Sequence, residues 1–135
     1  MTMNRLKGAA AACILLALAA CATNPLSTAQ TVEQKADAIY AQYVIAKEQA
    51  ATVISDPTVS DAVKVPIAQA AVASKPAADS LESALETYAQ AESALAAGTT
   101  TSDKLTIAAT NLQQWVDTAT PLINTLVTQI GKTSK

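Results

Sequence analysis

From Thr31 onward, apolar residues recur three and four positions apart, the spacing that lines one face of an α-helix. Val32, Ala36, Ile39, Tyr43, Ala46, Ala50 and Val53 make the first such stripe. Thr31-Val32-Glu33-Gln34 fits a capping box, in which the Thr31 hydroxyl accepts from a first-turn amide and Gln34 reaches back. Ser55-Asp56-Pro57 ends the run and predicts a second start, with Asp56 as N-cap and Pro57 at the first helical position. A second helix is then expected over about residues 57–97. Pro66 and Pro76 lie inside it, each withdrawing the N–H that would bond the carbonyl of Ala62 or Val72. A kinked long helix is expected, with a break at Pro76 as the competing outcome. Ala78, Leu81, Leu85, Tyr88 and Leu95 line its later face, and Gly98 suits the position just past its end.

The polar turn Thr99-Thr100-Thr101-Ser102 supplies several caps for a third helix, whose first turn carries Asp103 at the favourable end of the helix dipole. Leu105, Ala108, Leu112, Trp115, Ala119, Leu122, Leu126 and Ile130 form its stripe. Pro121 should bend this helix and Gly131 should stop it. No strand-like alternation competes, and no fixed-period repeat is evident. Three apolar stripes joined by short turns define an all-α fold, an antiparallel three-helix bundle running up-down-up with proline kinks. A first helix of roughly 24 residues is about 36 Å long. The bundle is expected over residues 31–131, followed by a flexible tail at 132–135.

Ahead of the bundle the pattern changes. Arg5 and Lys7 form a short positive start with no acid, followed by the uncharged apolar run Ala9 to Ala20. A membrane-spanning helix needs about 20 apolar residues; this run is nearer the roughly 7–15 of a signal-peptide core. Residues 1–20 therefore read as a signal helix that is removed. The run closes on Leu18-Ala19-Ala20-Cys21, which resembles the lipobox of bacterial lipoproteins: a branched residue and two small ones before a cysteine. The resemblance covers residues 1–21. It implies that Cys21 takes a diacylglycerol thioether, that the chain is cut just before it, and that the new amine is often acylated too. The alternatives are an ordinary secretory signal with an incidental cysteine, or a short anchor. Residues 21–30 then form a lipidated tether. Ala22 stands where many inner-membrane lipoproteins carry Asp, so the resemblance favours an outer-membrane protein facing the periplasm.

Two cysteines occur in the chain, and Cys13 lies in the segment expected to leave with the signal. Cys21 would be blocked by lipid, so noncovalent packing alone must hold the fold. One acyl chain anchors reversibly at about 0.8 kcal/mol per buried methylene, whereas two or three make attachment effectively permanent. Removing residues 1–20 takes away Arg5 and Lys7 and no acid, so nine basic residues become seven against eleven acidic ones, a net −4. That balance argues against nucleic acid and against an electrostatic grip on anionic lipid. The membrane is expected to be reached through the lipid on Cys21. With no Phe, no His and abundant Ala, the core should bring helices close through small residues and be only modestly stable.

Lys75, Asp79, Glu82 and Glu86 form a charged stripe at helical spacing. Three carboxylates on one face could hold a hard cation, but no amide or loop-carbonyl cluster completes a cage. The plainer reading is a solvated face helped by a Lys75–Asp79 pair. Trp115 and Tyr88 could anchor a partner, although both lie on apolar stripes and read first as core. Tyr40, beside the first stripe, is expected to be partly exposed. No His, Ser-x-x-Lys motif, glycine-rich phosphate loop or Cys/His metal spacing points to catalysis or to a cofactor.

Two non-enzymatic readings remain. One is a structural envelope lipoprotein packing alone or with its own copies; the other is an interaction module that binds a periplasmic or outer-membrane protein through a bundle face. In size, alanine content and lipobox the chain resembles small helical lipoproteins of bacterial and prophage genomes. The lipobox, helical body and final lysine also resemble the major enterobacterial murein lipoprotein family, which implies attachment of the Lys135 side-chain amine to peptidoglycan. This chain departs from that family in having Thr133-Ser134 where a tyrosine-arginine pair precedes the lysine, and in folding back as a bundle. The plainer reading is that Lys132 and Lys135 complement the helix dipole and solvate the end.

Overall fold

The computed structural model describes residues 31–134. Three helices pack on one another: α1 (Val32–Ser55), α2 (Asp61–Ala96) and α3 (Ser102–Gly131), with a short 3₁₀ turn (Lys132–Ser134) continuing α3. The short connections at 56–60 and 97–101 make neighbours antiparallel, as a three-helix bundle requires.

Local chemistry sets the ends of the helices. At α1 the Gln34 N–H donates to Thr31 Oγ1 (3.2 Å) and the Thr31 N–H donates to Gln34 Oε1 (3.3 Å), a complete capping box. At the other end of α2, Gly98 adopts φ +72°. The Thr99 N–H reaches the Ala94 carbonyl (2.9 Å) and the Gly98 N–H reaches that of Leu95 (3.0 Å), so a Schellman motif satisfies the last carbonyls.

The start of α2 departs from the sequence expectation. Asp56 caps a single turn rather than the helix. Its carboxylate accepts from the Thr58 N–H (2.8 Å) and hydroxyl (2.7 Å), and the Val59 N–H closes on the Asp56 carbonyl. Those two donors, the hydroxyl first, hold the Asp56 carboxyl below its ordinary range. Ser60 then swings to an extended backbone and α2 begins at Asp61, so Pro57 sits in the turn. The third helix ends at Gly131, where the sequence expectation put its stop. Gly131 lies within α3, and Lys132 keeps helical dihedrals, leading into the 3₁₀ turn. Glycine permits a left-handed stop but does not impose one. Here Ile130 is buried and its carbonyl accepts the Thr133 hydroxyl (2.7 Å), so the chain past Gly131 tightens into the 3₁₀ turn.

Neither proline breaks α2, which runs unbroken from Asp61 to Ala96. The reason lies in where the freed groups face. Pro76 is exposed, and Val72, whose carbonyl loses its partner, is 75% exposed, so that carbonyl is on the watered side of the helix. Pro121 of α3 is likewise exposed.

The core joins Ala36, Ile39, Tyr43, Ala46 and Ala50 of α1 to a line on α2 and another on α3. The α1 stripe is the one the spacing defines. On α2 the buried line begins earlier than its clear sequence pattern, with Ile67, Ala70, Ser74 and Ala77 before Ala78, Leu81 and Ala84. Ser74 is fully buried, its hydroxyl donating to the Ala71 carbonyl at 3.1 Å. On α3 the line runs through Val116 and Ile123, one position on from Trp115 and Leu122, which pack at its edge.

The helices are unequal, 24 residues in α1 against 36 in α2 and 30 in α3. Along α2 the last side chain packed on the shared core is Tyr88, and along α3 the core line begins at Leu112. The final eight residues of α2 (89–96), about 12 Å at 1.5 Å each, run past the start of α1 with only the beginning of α3 beside them. The bundle thus ends in a two-helix arm, tipped by the Gly98 turn, on the side where the chain enters α1.

Leu112→Ala should cost about 2–5 kcal/mol, because the side chain is fully enclosed and its removal leaves a void. Leu85→Ala, at the core's edge, should cost less. Gly98→Ala should cost about 1–2 kcal/mol for a side chain at φ +72°. Urea unfolding followed by circular dichroism checks all three; equal losses at Leu112 and Leu85 would contradict this core.

Candidate functional site

The charged stripe of α2 lies against α1, and its members divide between water and the neighbouring helix. Lys75 Nζ sits 2.5 Å from Asp79 Oδ2, with the two side chains 61% and 55% exposed. An ion pair that wet is screened by solvent and adds little to stability. Glu82, one turn on, stands near the Tyr40 hydroxyl of α1. The pull of the Glu82 carboxylate on the Tyr40 proton comes first, followed by burial and the Glu82 and Asp79 charges, and together they push the Tyr40 pKa up to about 12. The Tyr40 and Tyr43 rings lie 6.4 Å apart, tilted by 40°. Tyr43 is buried, and that burial, followed by the Asp79 charge, raises its hydroxyl as well.

This arrangement is a polar strut between α1 and α2. The carboxylates are drawn apart, Asp79 toward Lys75 and Glu82 toward Tyr40, rather than converging on a cation. Among the described residues no group of three His, Cys, Asp or Glu side chains could hold a metal ion. Ser74, enclosed and bonded to its own backbone, is not presented as a nucleophile.

Tyr88 and Trp115 are half-buried and pack against the edge of the core, so they are neither fully core nor free anchors. Burial raises the Tyr88 hydroxyl, with the Glu92 and Glu33 charges adding to it. Tyr88 also faces an open groove of about 810 Å³, where the start of α1 meets the arm. Val32, Leu105 and Ala109 form its apolar part, and Thr110, Gln113 and Gln114 belong to its polar edge. Elsewhere on the surface Val65 and Val72 of α2 and Ile107 of α3 stand in water, 51%, 75% and 69% exposed.

The groove and the Tyr40–Glu82 pairing escaped the sequence reading, because both join residues far apart in the chain. The two residues with a modification chemistry, Cys21 and Lys135, lie outside the described residues, as does the signal and tether segment. Among the described residues no helix is long and apolar enough to cross a membrane. No family model, curated protein or solved structure matches the chain.

The tyrosines give the strut a pH signature. A raised folded-state pKa means that the contribution is fully present below the unfolded value of 10.0 and is lost as pH rises through the folded value. Stability should therefore fall between pH 10.0 and about 12 as Tyr40 and Tyr43 come under pressure to ionise. Glu82→Gln should return Tyr40 toward its ordinary value, seen as earlier tyrosinate absorbance in an alkaline titration. An unchanged titration curve would remove Glu82 as the cause.

Proposed function

We propose that this is a small lipid-anchored protein of the bacterial envelope with a non-catalytic, structural role. The single observation that carries the reading is Leu18-Ala19-Ala20-Cys21 behind the basic start at Arg5 and Lys7. Cys21 is the lipidated residue and becomes the mature N-terminus, and the protein resides at the outer membrane, facing the periplasm. The fold supports the reading without carrying it. A bundle with its own enclosed core can stand beside a membrane while the lipid alone provides the attachment, and the mature net charge of −4 gives anionic lipid no grip on the helices. Intact-mass measurement on membrane-extracted protein should show loss of residues 1–20 and added acyl mass, and Cys21→Ser should release the protein in soluble form. A wild-type chain without lipid, free of the membrane, rejects the proposal.

A second reading is an interaction module for a periplasmic or outer-membrane protein, or for a second copy. The exposed aliphatic side chains Val65, Val72 and Ile107 favour it, since each stands in water on an outer helix face. A structural anchor that packs alone tolerates Val72→Asp in the cell, and a docking module loses its partner.

Peptidoglycan is the remaining candidate partner, through the side-chain amine of Lys135. The 3₁₀ turn at Lys132–Ser134 lies at the opposite end of the bundle from the start of α1, which favours reach toward the wall from a membrane-held N-terminus. Cell walls boiled in detergent decide it. A tethered chain stays with the wall until muramidase digestion and is freed by deleting Lys135, while full extraction by detergent rejects the attachment.

A further inference from the structure

We infer that the outer face of the first half of α2 pairs antiparallel with the same face of a second copy of this chain. Asp61, Val65, Gln69, Val72 and Pro76 are all exposed. At about 100° per residue they fall within a quarter turn of one another, opposite the buried line that begins at Ile67. Val65 is 51% and Val72 75% exposed, and the exposed Ala62 and Ala73 flank them. A solvated helix face ordinarily carries charge, yet none stands on this line between Asp61 and the level of Lys75. Beyond Lys75 the same line turns polar at Asp79 and Ser83. The apolar stretch is thus bounded at both ends and is about 22 Å long.

The charges at its two ends select the occupant. Asp61 and Lys75 stand on the same flank of the stretch, one at each end. Two such faces laid parallel would set Asp61 against Asp61 of the second copy. Laid antiparallel about Gln69, they set Asp61 beside Lys75 of the second copy and Val65 beside its Val72, each twice over, as two-fold pairing requires. Asp61 makes no ion pair among the described residues, and Lys75, wet in its pair with Asp79, is open to a second carboxylate. Lys64, on the same flank, lies close enough to Asp56 to act on that carboxylate instead. Gln69, the one polar side chain between the two ends, brings amide protons to the Val72 carbonyl that Pro76 leaves open. Contact through a single helix of each copy is narrower than the roughly 800 Å² per partner of a stable interface, so the pair is weak and grows with concentration. This inference rests on the interaction reading above, for which it names the face and the partner, and it needs no lipid.

Disulfide trapping in the full chain under mild oxidation tests it, with Gln69→Cys, Ser83→Cys and the wild type compared. The wild type measures any dimer formed through Cys13 or Cys21. Gln69→Cys, at the two-fold, should trap a dimer. Ser83→Cys, on the same line but more than about 40 Å from its counterpart, should not. In the Gln69→Cys chain, Val72→Asp should abolish the dimer while thermal melting followed by circular dichroism stays unchanged, because the site is exposed. Asp61→Lys and Lys75→Asp should each reduce the trapped fraction, and the two together should restore it. Trapping by Gln69→Cys no greater than in the wild type overturns the inference. Equal trapping at both positions, the mark of a parallel pair, overturns it too, as does a double charge swap that restores nothing. A chain that stays monomeric, yet loses a partner in the cell on Val72→Asp, rejects the second copy and leaves the interaction reading standing; a monomeric chain that tolerates Val72→Asp overturns both.

Discussion

The whole bundle rests on close approach between alanines. A core with no phenylalanine, in which Ala36, Ala46, Ala50, Ala70, Ala77, Ala78, Ala84 and Ala119 are buried, cannot span a wide gap between helices. It works only where backbones come near enough for methyl groups and the few larger side chains to meet. Ile39, Ile67, Leu81, Leu112, Ile123 and Leu126 then fill the remaining volume, and each is fully enclosed. Interiors pack at near-crystalline density, so small residues set the distance and larger ones must fit what it leaves. Ser74 belongs to the same rule: it is small enough to sit in the seam, and its hydroxyl is satisfied within its own helix.

This constraint explains why the chain tolerates residues that usually weaken helices. Pro76 and Pro121 are placed on the water side, where a lost backbone bond is replaced by solvent and the seam is undisturbed. Threonine is common on α3, and Thr106, Thr110, Thr118, Thr120, Thr125 and Thr128 each donate a hydroxyl to the carbonyl four residues back. That bonding gives β-branched polar residues a local partner and leaves the interior to aliphatic groups. The helices are therefore held by their shared seam more than by intrinsic propensity.

The same logic shows what the sequence could and could not disclose. The α1 stripe was readable because regular spacing, a capping box and a clean polar face all agreed. On α3 the large apolar residues Trp115 and Leu122 drew the eye to one flank, whereas the seam selects the adjacent Val116 and Ile123, which fit nearer the axis. The first half of α2 was hidden by its prolines and by Ser74, since neither residue type marks a core. Asp56 was read by local preference and performs a more limited version of the expected task, whereas Gly131 closes α3 as its type suggests. The Tyr40–Glu82 pairing and the groove by Val32 depend on how two or three helices align, and no local pattern encodes that alignment.

The mismatch in helix length has a mechanical meaning. A pull on the chain ahead of Thr31 enters the fold through the capping box and runs straight into α1, the shortest of the three. The longer pair α2 and α3 is joined at the Gly98 turn and needs no support from that load path. Strain would travel along the seam of α1 and test the Tyr40–Glu82 strut before it reached the hairpin. The first helix is thus the element that such a pull loads first, and the hairpin meets it only through the core the three helices share.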